Sequence, residues 1–125
     1  MKKIETTQAP QAIGPYSQAV EVQGFLFGSG QIPVDPQTGE VSNTIEEQAH
    51  QVFKNISAVL QGAGLSLNHV VKTTLFLTDL SHFQQVNEIY THYFKEPYPA
   101  RSCVEVQGLP KNVLIEAEYI AVTKK

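Results

Sequence analysis

Cysteine occurs once in this sequence, at Cys103, so no disulfide can form within the chain. The small secreted scaffolds held by cross-links are therefore not suggested, and a thiolate cluster for a metal is out of reach. Tryptophan is absent, and arginine also occurs once, at Arg101; every other cation is lysine. No basic run exists beyond the lysine pairs at the two ends, and the formal net charge is −3. Broad nucleic-acid binding needs a concentrated cationic face, so no nucleic-acid partner is expected. No window approaches the roughly 20 apolar residues of a membrane span. The opening MKKIETTQAP turns polar at Glu5 and offers no apolar core for a signal peptide. A cytoplasmic protein without a membrane partner is the expectation. Phosphate-binding glycine loops and the GxSxG nucleophile elbow are missing too, and GSG at Gly28–Gly30 is too short to replace the former.

What is present suits a folded domain. The 125 residues are 42% hydrophobic and 17% charged, enough for one core and one domain over 1–125. QAPQAIGPYS carries Pro10, Gly14 and Pro15 and reads as an ordered loop. In SQAVEVQGFLFGSGQI, apolar residues flank Gln23-Gly24 as in a hairpin. Ile45, Ala49, Val52, Phe53, Ile56, Val59, Leu60 and Ala63 form one helical stripe, with Thr44 and Glu47 at the start and Gly62 and Gly64 at the exit. HVVKTTLFLTDL reads as a strand. A second helix follows, with Ser81 and Gln84 as a capping box and Phe83, Val86, Tyr90, Tyr93 and Phe94 as its stripe. ARSCVEVQ and VLIEAEYIAV read as two strands joined across Gly108-Leu109-Pro110. The order is roughly ββαβαββ, an α+β layout with two helices on one face of a mixed sheet. FLF, VVKTTLFL and LIEAEYIAV place apolar groups on both sheet faces, which points to an oligomer whose interface includes the sheet.

Few residues offer chemistry. The histidines, His50, His69, His82 and His92, form no i, i+4 pair on a helix, so no metal site is expected; His50 and His92 fall on polar helix sides. Arg101 and Cys103 share a strand face with Glu105 by alternation. A guanidinium can lower the pKa of a neighbouring thiol, yet free cysteine is commonly a buried structural residue, and no histidine stands near Cys103 in sequence. Arginine's planar fork can grip a carboxylate with two parallel hydrogen bonds, as lysine cannot. Arg101 therefore reads either as an anion site or as a structural ion pair with Glu105 or Glu116. Glu116 and Glu118 share a face with Leu114, Ile120 and Val122. A carboxylate there is a candidate general base, or a charge that blunts an edge strand.

The stretches AIGPYSQA, GSGQIP, VNEIY, PARSCVEV and LPKNVLIEAEYIAV, in that order, resemble the Rid/YjgF reactive-intermediate deaminases, closest to the archetypal branch that retains the arginine. The resemblance covers nearly the whole chain. It implies a chorismate-mutase-like fold assembled as a homotrimer with clefts between subunits, and hydrolysis of 2-iminopropanoate and 2-iminobutanoate to 2-keto acids and ammonia without a cofactor. Such imines arise from enamines released by pyridoxal-phosphate enzymes. By resemblance, Arg101 grips the substrate carboxylate and Glu116 positions or activates water. Tyr16, Ser29 and Gly30 line the cleft, Asn87 is a motif residue, and Cys103 lends its main chain. GSGQIP replaces the family's TSGQIP, and Gln107-Gly108 stands where a small apolar and a longer polar residue are expected. Relatives have also been given ligand-sensing, chaperone-like, translation-inhibiting and endoribonuclease roles, so a binding module and a nuclease are the rival readings.

Overall fold

A computed structural model describes residues 1–124. Among the described residues the elements run β1 (Lys2–Ile4), β2 (Ala19–Val22), β3 (Phe25–Gln31), α1 (Ile45–Gly62), β4 (Val70–Leu77), α2 (Phe83–Tyr93), β5 (Ala100–Glu105) and β6 (Ile115–Val122), with single 3₁₀ turns before β4, α2 and β6. The α+β layout stands as expected, with a short β1 added in front. The sheet order is β1-β2-β3-β6-β4-β5. All neighbours are antiparallel except β4 and β5, which run parallel across α2. β6 therefore lies between β3 and β4, so its glutamates are not the charges of an edge strand.

Local chemistry accounts for several joints. Gln23 and Gly24 both have positive φ (50° and 84°), the requirement of a type I′ turn, and they close the β2–β3 hairpin. The Thr44 hydroxyl accepts the Glu47 N–H at the start of α1. At the exit Gly64 takes φ 76°, with Leu65 N–H donating to Leu60 O and Gly64 N–H to Gln61 O, a Schellman ending. The second helix starts differently from the expected capping box. Asp79, not Ser81, supplies the capping oxygen, accepting the Ser81 N–H at the head of the 3₁₀ turn that leads into α2.

Both helices cover one face of the sheet. Val52, Phe53, Ile56, Val59 and Leu60 of α1 meet Leu26, Leu75, Leu77, Ile115, Ala117 and Ala121, all buried. Three buried amides tie the loops to this core. Gln18 holds the loop before β2 through Thr6 N–H and the carbonyls of Thr6 and Pro10, while Asn55 donates to the carbonyls of Ile32 and Val34. Gln48 bridges Ser42 O and Leu114 N–H. The opposite sheet face is uncovered, with Phe25, Phe27 and Val104 each more than 40% exposed.

Candidate active site

Arg101 sits on β5 in register with Thr73, and Cys103 with Leu75. Thr73 and Leu75 face the helices and are fully buried, so Arg101 and Cys103 share that face. The guanidinium carbon lies 4.8 Å from the centre of the Tyr90 ring and 5.3 Å from that of Phe83, both on α2. Two rings seven residues apart on one helix thus flank the cation. Among the described residues no carboxylate pairs with Arg101. The Glu105 carboxylate instead accepts the Leu80 N–H at 2.9 Å, and Glu116 is turned away. The structural-ion-pair reading of Arg101 finds no support in these contacts. The guanidinium borders a cavity of about 410 Å³ with Asn87, Tyr90, Tyr98 and Pro99.

The Cys103 thiol is half-buried. Burial pushes its pKa up, and the pull of the nearby Arg101 charge only partly opposes that. This is the reverse of an activated nucleophile.

Glu116 lies on the other face. It pairs with Phe76 in the β4–β6 ladder, and Phe76 alternates with the helix-facing Leu75 and Leu77. Its carboxyl is held above the ordinary range, first by burial and then by the charge of Glu118. The carboxylate rests against Gly30, where any β-carbon would overlap it. A bulge in β3 creates this contact: three residue steps from Gly28 to Gln31 face two steps from Tyr119 to Ala117. The extra residue turns Gly30 to the uncovered face, whereas Gly28 lies beneath the Tyr119 ring on the helix side.

Gly30 also borders a second cavity of about 500 Å³ with Tyr16, Ile32, Val34 and Lys111. Tyr16 is half exposed, on the loop that Gln18 secures. Ser29 fastens the same loop, its hydroxyl donating to Ser17 O at 2.6 Å and its N–H to Gln18 O at 3.0 Å. The residues singled out in the sequence thus fall into two groups. Arg101, Asn87 and Cys103 stand at the β5–α2 edge. Tyr16, Ser29, Gly30 and Glu116 cluster around β3 and β6. With strands about 4.8 Å apart, β5 and β6 are separated by about 10 Å, and the two key side chains also point to opposite faces.

Sequence reasoning passed over Phe83 and Tyr90 as site residues, reading them as a helix stripe, and left out Tyr98 and Thr73. The glycines of GSGQ carried a usable signal, since glycine inside a strand marks a bulge or a close approach. His50 differs from the expected solvated residue. It is half-buried, with Nδ1 2.8 Å from the Tyr93 hydroxyl. Among the described residues no group of three metal-ligating side chains gathers, and no helix is long and apolar enough to cross a membrane.

Comparison with known proteins places this geometry in context. The profile of the family described as Endoribonuclease L-PSP matches residues 6–123. A RutC family protein of Pyrococcus abyssi is 56% identical over 119 residues, 94% of each chain. A solved structure from Thermotoga maritima, described provisionally as an endoribonuclease, superposes with a TM-score of 0.96 at 52% identity, covering 100% of this chain and 99% of that one. TdcF of Escherichia coli, solved with bound serine, gives a TM-score of 0.95 at 48% identity over 99% and 100% of the two chains. Its name assigns it provisionally to the reactive intermediate deaminases.

Proposed function

The chain belongs to the Rid/YjgF family, and we propose that it hydrolyses 2-imino acids such as 2-iminopropanoate and 2-iminobutanoate to 2-keto acids and ammonia. The observation that carries this reading is Arg101: a guanidinium flanked by two rings, free of any carboxylate among the described residues, and facing a cavity. Its in-plane donors suit the carboxylate common to all 2-imino acids. The bound serine of TdcF, an amino acid with that same carboxylate, supports the assignment.

Imine carbon is already electrophilic, so the reaction needs orientation and proton handling but no metal, cofactor or covalent intermediate. Water adds to C2 as Glu116 accepts its proton. The nitrogen takes up protons, the C–N bond breaks, and ammonia leaves as the C2 hydroxyl becomes the keto group. A carboxyl held above its ordinary pKa is better matched to this proton exchange near neutral pH. Because Arg101 and Glu116 point away from opposite faces of one sheet, the site is proposed to form between copies of the chain. The uncovered apolar face then serves the assembly, which by family resemblance is a homotrimer. The substrates are the imines formed when pyridoxal-phosphate enzymes release enamines, in a cytoplasmic setting.

The test is the loss of 2-iminobutanoate generated in situ by threonine dehydratase. The wild type should accelerate it. Arg101→Ala removes two charge-assisted bonds and should lower kcat/KM by about 10²–10⁴-fold. Glu116→Gln should lower kcat by about 10²–10⁴-fold while 2-oxobutanoate still binds. An intact oligomer that gives no acceleration would sink the enzyme reading. Carboxylate binding that needs Arg101 but not Glu116, with no turnover in the wild type, would favour the alternative of a ligand-sensing or chaperone-like module. The family description also raises an endoribonuclease reading, and incubation with single-stranded RNA addresses it: cleavage that survives Arg101→Ala would place that activity elsewhere.

A further inference from the structure

We propose that Tyr90 and Thr73 act together as a positioning pair that fixes the plane of Arg101 and so sets how tightly the site holds a carboxylate. The proposal rests on the anchoring role given to Arg101 above. The Tyr90 ring has little freedom. It stacks on Phe94 with centroids 4.4 Å apart and 28° between planes, and meets the edge of Phe53 at 5.6 Å and 86°. Its hydroxyl lies 2.8 Å from Thr73 Oγ1, and both residues are buried. Thr73 is the β4 residue in register with Arg101. One hydrogen bond therefore ties α2 to the sheet beside the guanidinium that the Tyr90 ring supports.

A guanidinium laid on a ring face keeps its N–H donors in the plane, pointing past the ring edge. Here Tyr90 and Arg101 both border the cavity that Asn87, Tyr98 and Pro99 also line. With the Phe83 ring also within 5.3 Å, Arg101 gives up rotamer freedom when the chain folds, not when a ligand arrives, and preorganisation of this kind tightens binding. Stability alone does not account for the pair. Phenylalanine and valine would fill the same space, and replacing both partners of a buried hydrogen bond by apolar groups is often nearly neutral. What the hydroxyls add is a fixed ring position.

The experiment measures KM and kcat for 2-iminobutanoate, and 2-oxobutanoate affinity by calorimetry, in oligomers of intact fold. Tyr90→Leu should raise KM and weaken 2-oxobutanoate binding about tenfold, with kcat within about twofold. Tyr90→Phe and Thr73→Val should each raise KM about threefold, and the double variant should be no worse than either single change, because both break one bond. In an Arg101→Lys background, whose point charge has no plane to hold, Tyr90→Leu should cost less than about twofold. Unchanged KM in Tyr90→Leu, or an undiminished effect in the Arg101→Lys background, would overturn the proposal while leaving the anchor intact. Should Tyr90→Leu fail to fold, additive losses in the Tyr90→Phe and Thr73→Val pair would overturn it equally. A wild type that binds no 2-oxobutanoate would remove the anchor itself, and the positioning pair with it.

Discussion

The two faces of the sheet are built on different terms. On the helix-covered face Arg101 finds everything that shapes it within its own chain: Thr73 in register beside it, and Tyr90 and Phe83 against its guanidinium. On the opposite face Glu116 rests against Gly30 with Glu118 as a neighbouring charge, level with the exposed Val104, while exposed Phe25 and Phe27 lie further along the same face. A sheet is a wall, and a small molecule cannot touch side chains that leave it in opposite directions from strands about 10 Å apart. On the proposed reading, the half-site around Arg101 is built within one subunit, whereas the half-site around Glu116 needs another. An uncovered apolar face next to an incomplete site supplies the driving force for the contact that would complete it.

The strongest way to break that comparison is complementation. Arg101→Ala and Glu116→Gln should each retain no more than about 1% of wild-type activity alone. Unfolded together in equal amounts and refolded, they should recover about a quarter of wild-type activity, the fraction of clefts in a random cyclic assembly that combine an intact arginine with an intact glutamate from different copies. No recovery in a mixed oligomer confirmed by mass spectrometry would mean that both groups come from one chain.

A second contrast lies within GSGQ. A methyl at Gly28 would overlap the buried Tyr119 ring, which has no room to withdraw, so Gly28→Ala should cost about 1–3 kcal/mol of stability. A methyl at Gly30 would meet the far end of the flexible Glu116 side chain, which can swing aside. Gly30→Ala should therefore keep most of its thermal stability and lose at least about tenfold in kcat as the carboxylate leaves its place. Thermal melts beside initial rates separate the two. Matching losses in both variants would show that the bulge does not divide structure from function.

That bulge marks the limit of what could be read from residues alone. The helix stripes, the Thr44 cap and the Gln23-Gly24 turn were legible because each is decided within a few residues by period, capping oxygen or permitted φ. Arg101, Cys103 and Glu105 were rightly placed on one face for the same reason. The insertion of β6 between β3 and β4 depends on pairing across most of the chain, and with it goes the knowledge that Arg101 and Glu116 face opposite ways. β1 escaped because Lys2–Ile4 is too short to carry a pattern and is defined by its partner, β2. Gln18, Gln48 and Asn55 look like surface residues until the loops they bind are in place. Asp79 outcompeted Ser81 as a cap because α2 is entered through a 3₁₀ turn.

A smaller effect concerns the proton on Glu116. Burial, and then the Glu118 charge, raise its pKa above 4.5, so the carboxylate proposed as the base is lost at a higher pH than for an ordinary glutamate. The acidic limb of kcat/KM should lie above that value, and Glu118→Gln should move it to lower pH without abolishing turnover. Stability follows the same sign: the folded state holds this proton more tightly than the unfolded chain does. Its contribution is most favourable at low pH and declines as pH rises from 4.5 through the raised value. The melting temperature of Glu116→Gln relative to wild type should accordingly increase across that window. A Glu118→Gln limb that stays in place would assign the raised value to burial alone.

The smallest effect is expected at Cys103, two residues from the arginine and on the same face. Proximity to a cation would favour a thiolate, but burial outweighs it and the thiol is held protonated to higher pH. The side chain packs against the core beside Leu75, so alanine removes one sulfur from a half-buried position. Cys103→Ala should keep kcat/KM within about threefold and stability within about 1–2 kcal/mol. Alkylation of the wild-type thiol near neutral pH should be slower than that of free cysteine. Complete loss of turnover in a folded Cys103→Ala oligomer would return the sulfur to the mechanism. It would also shift the chemistry onto the helix-covered face, where Arg101 already stands, and leave Glu116 without its assigned part.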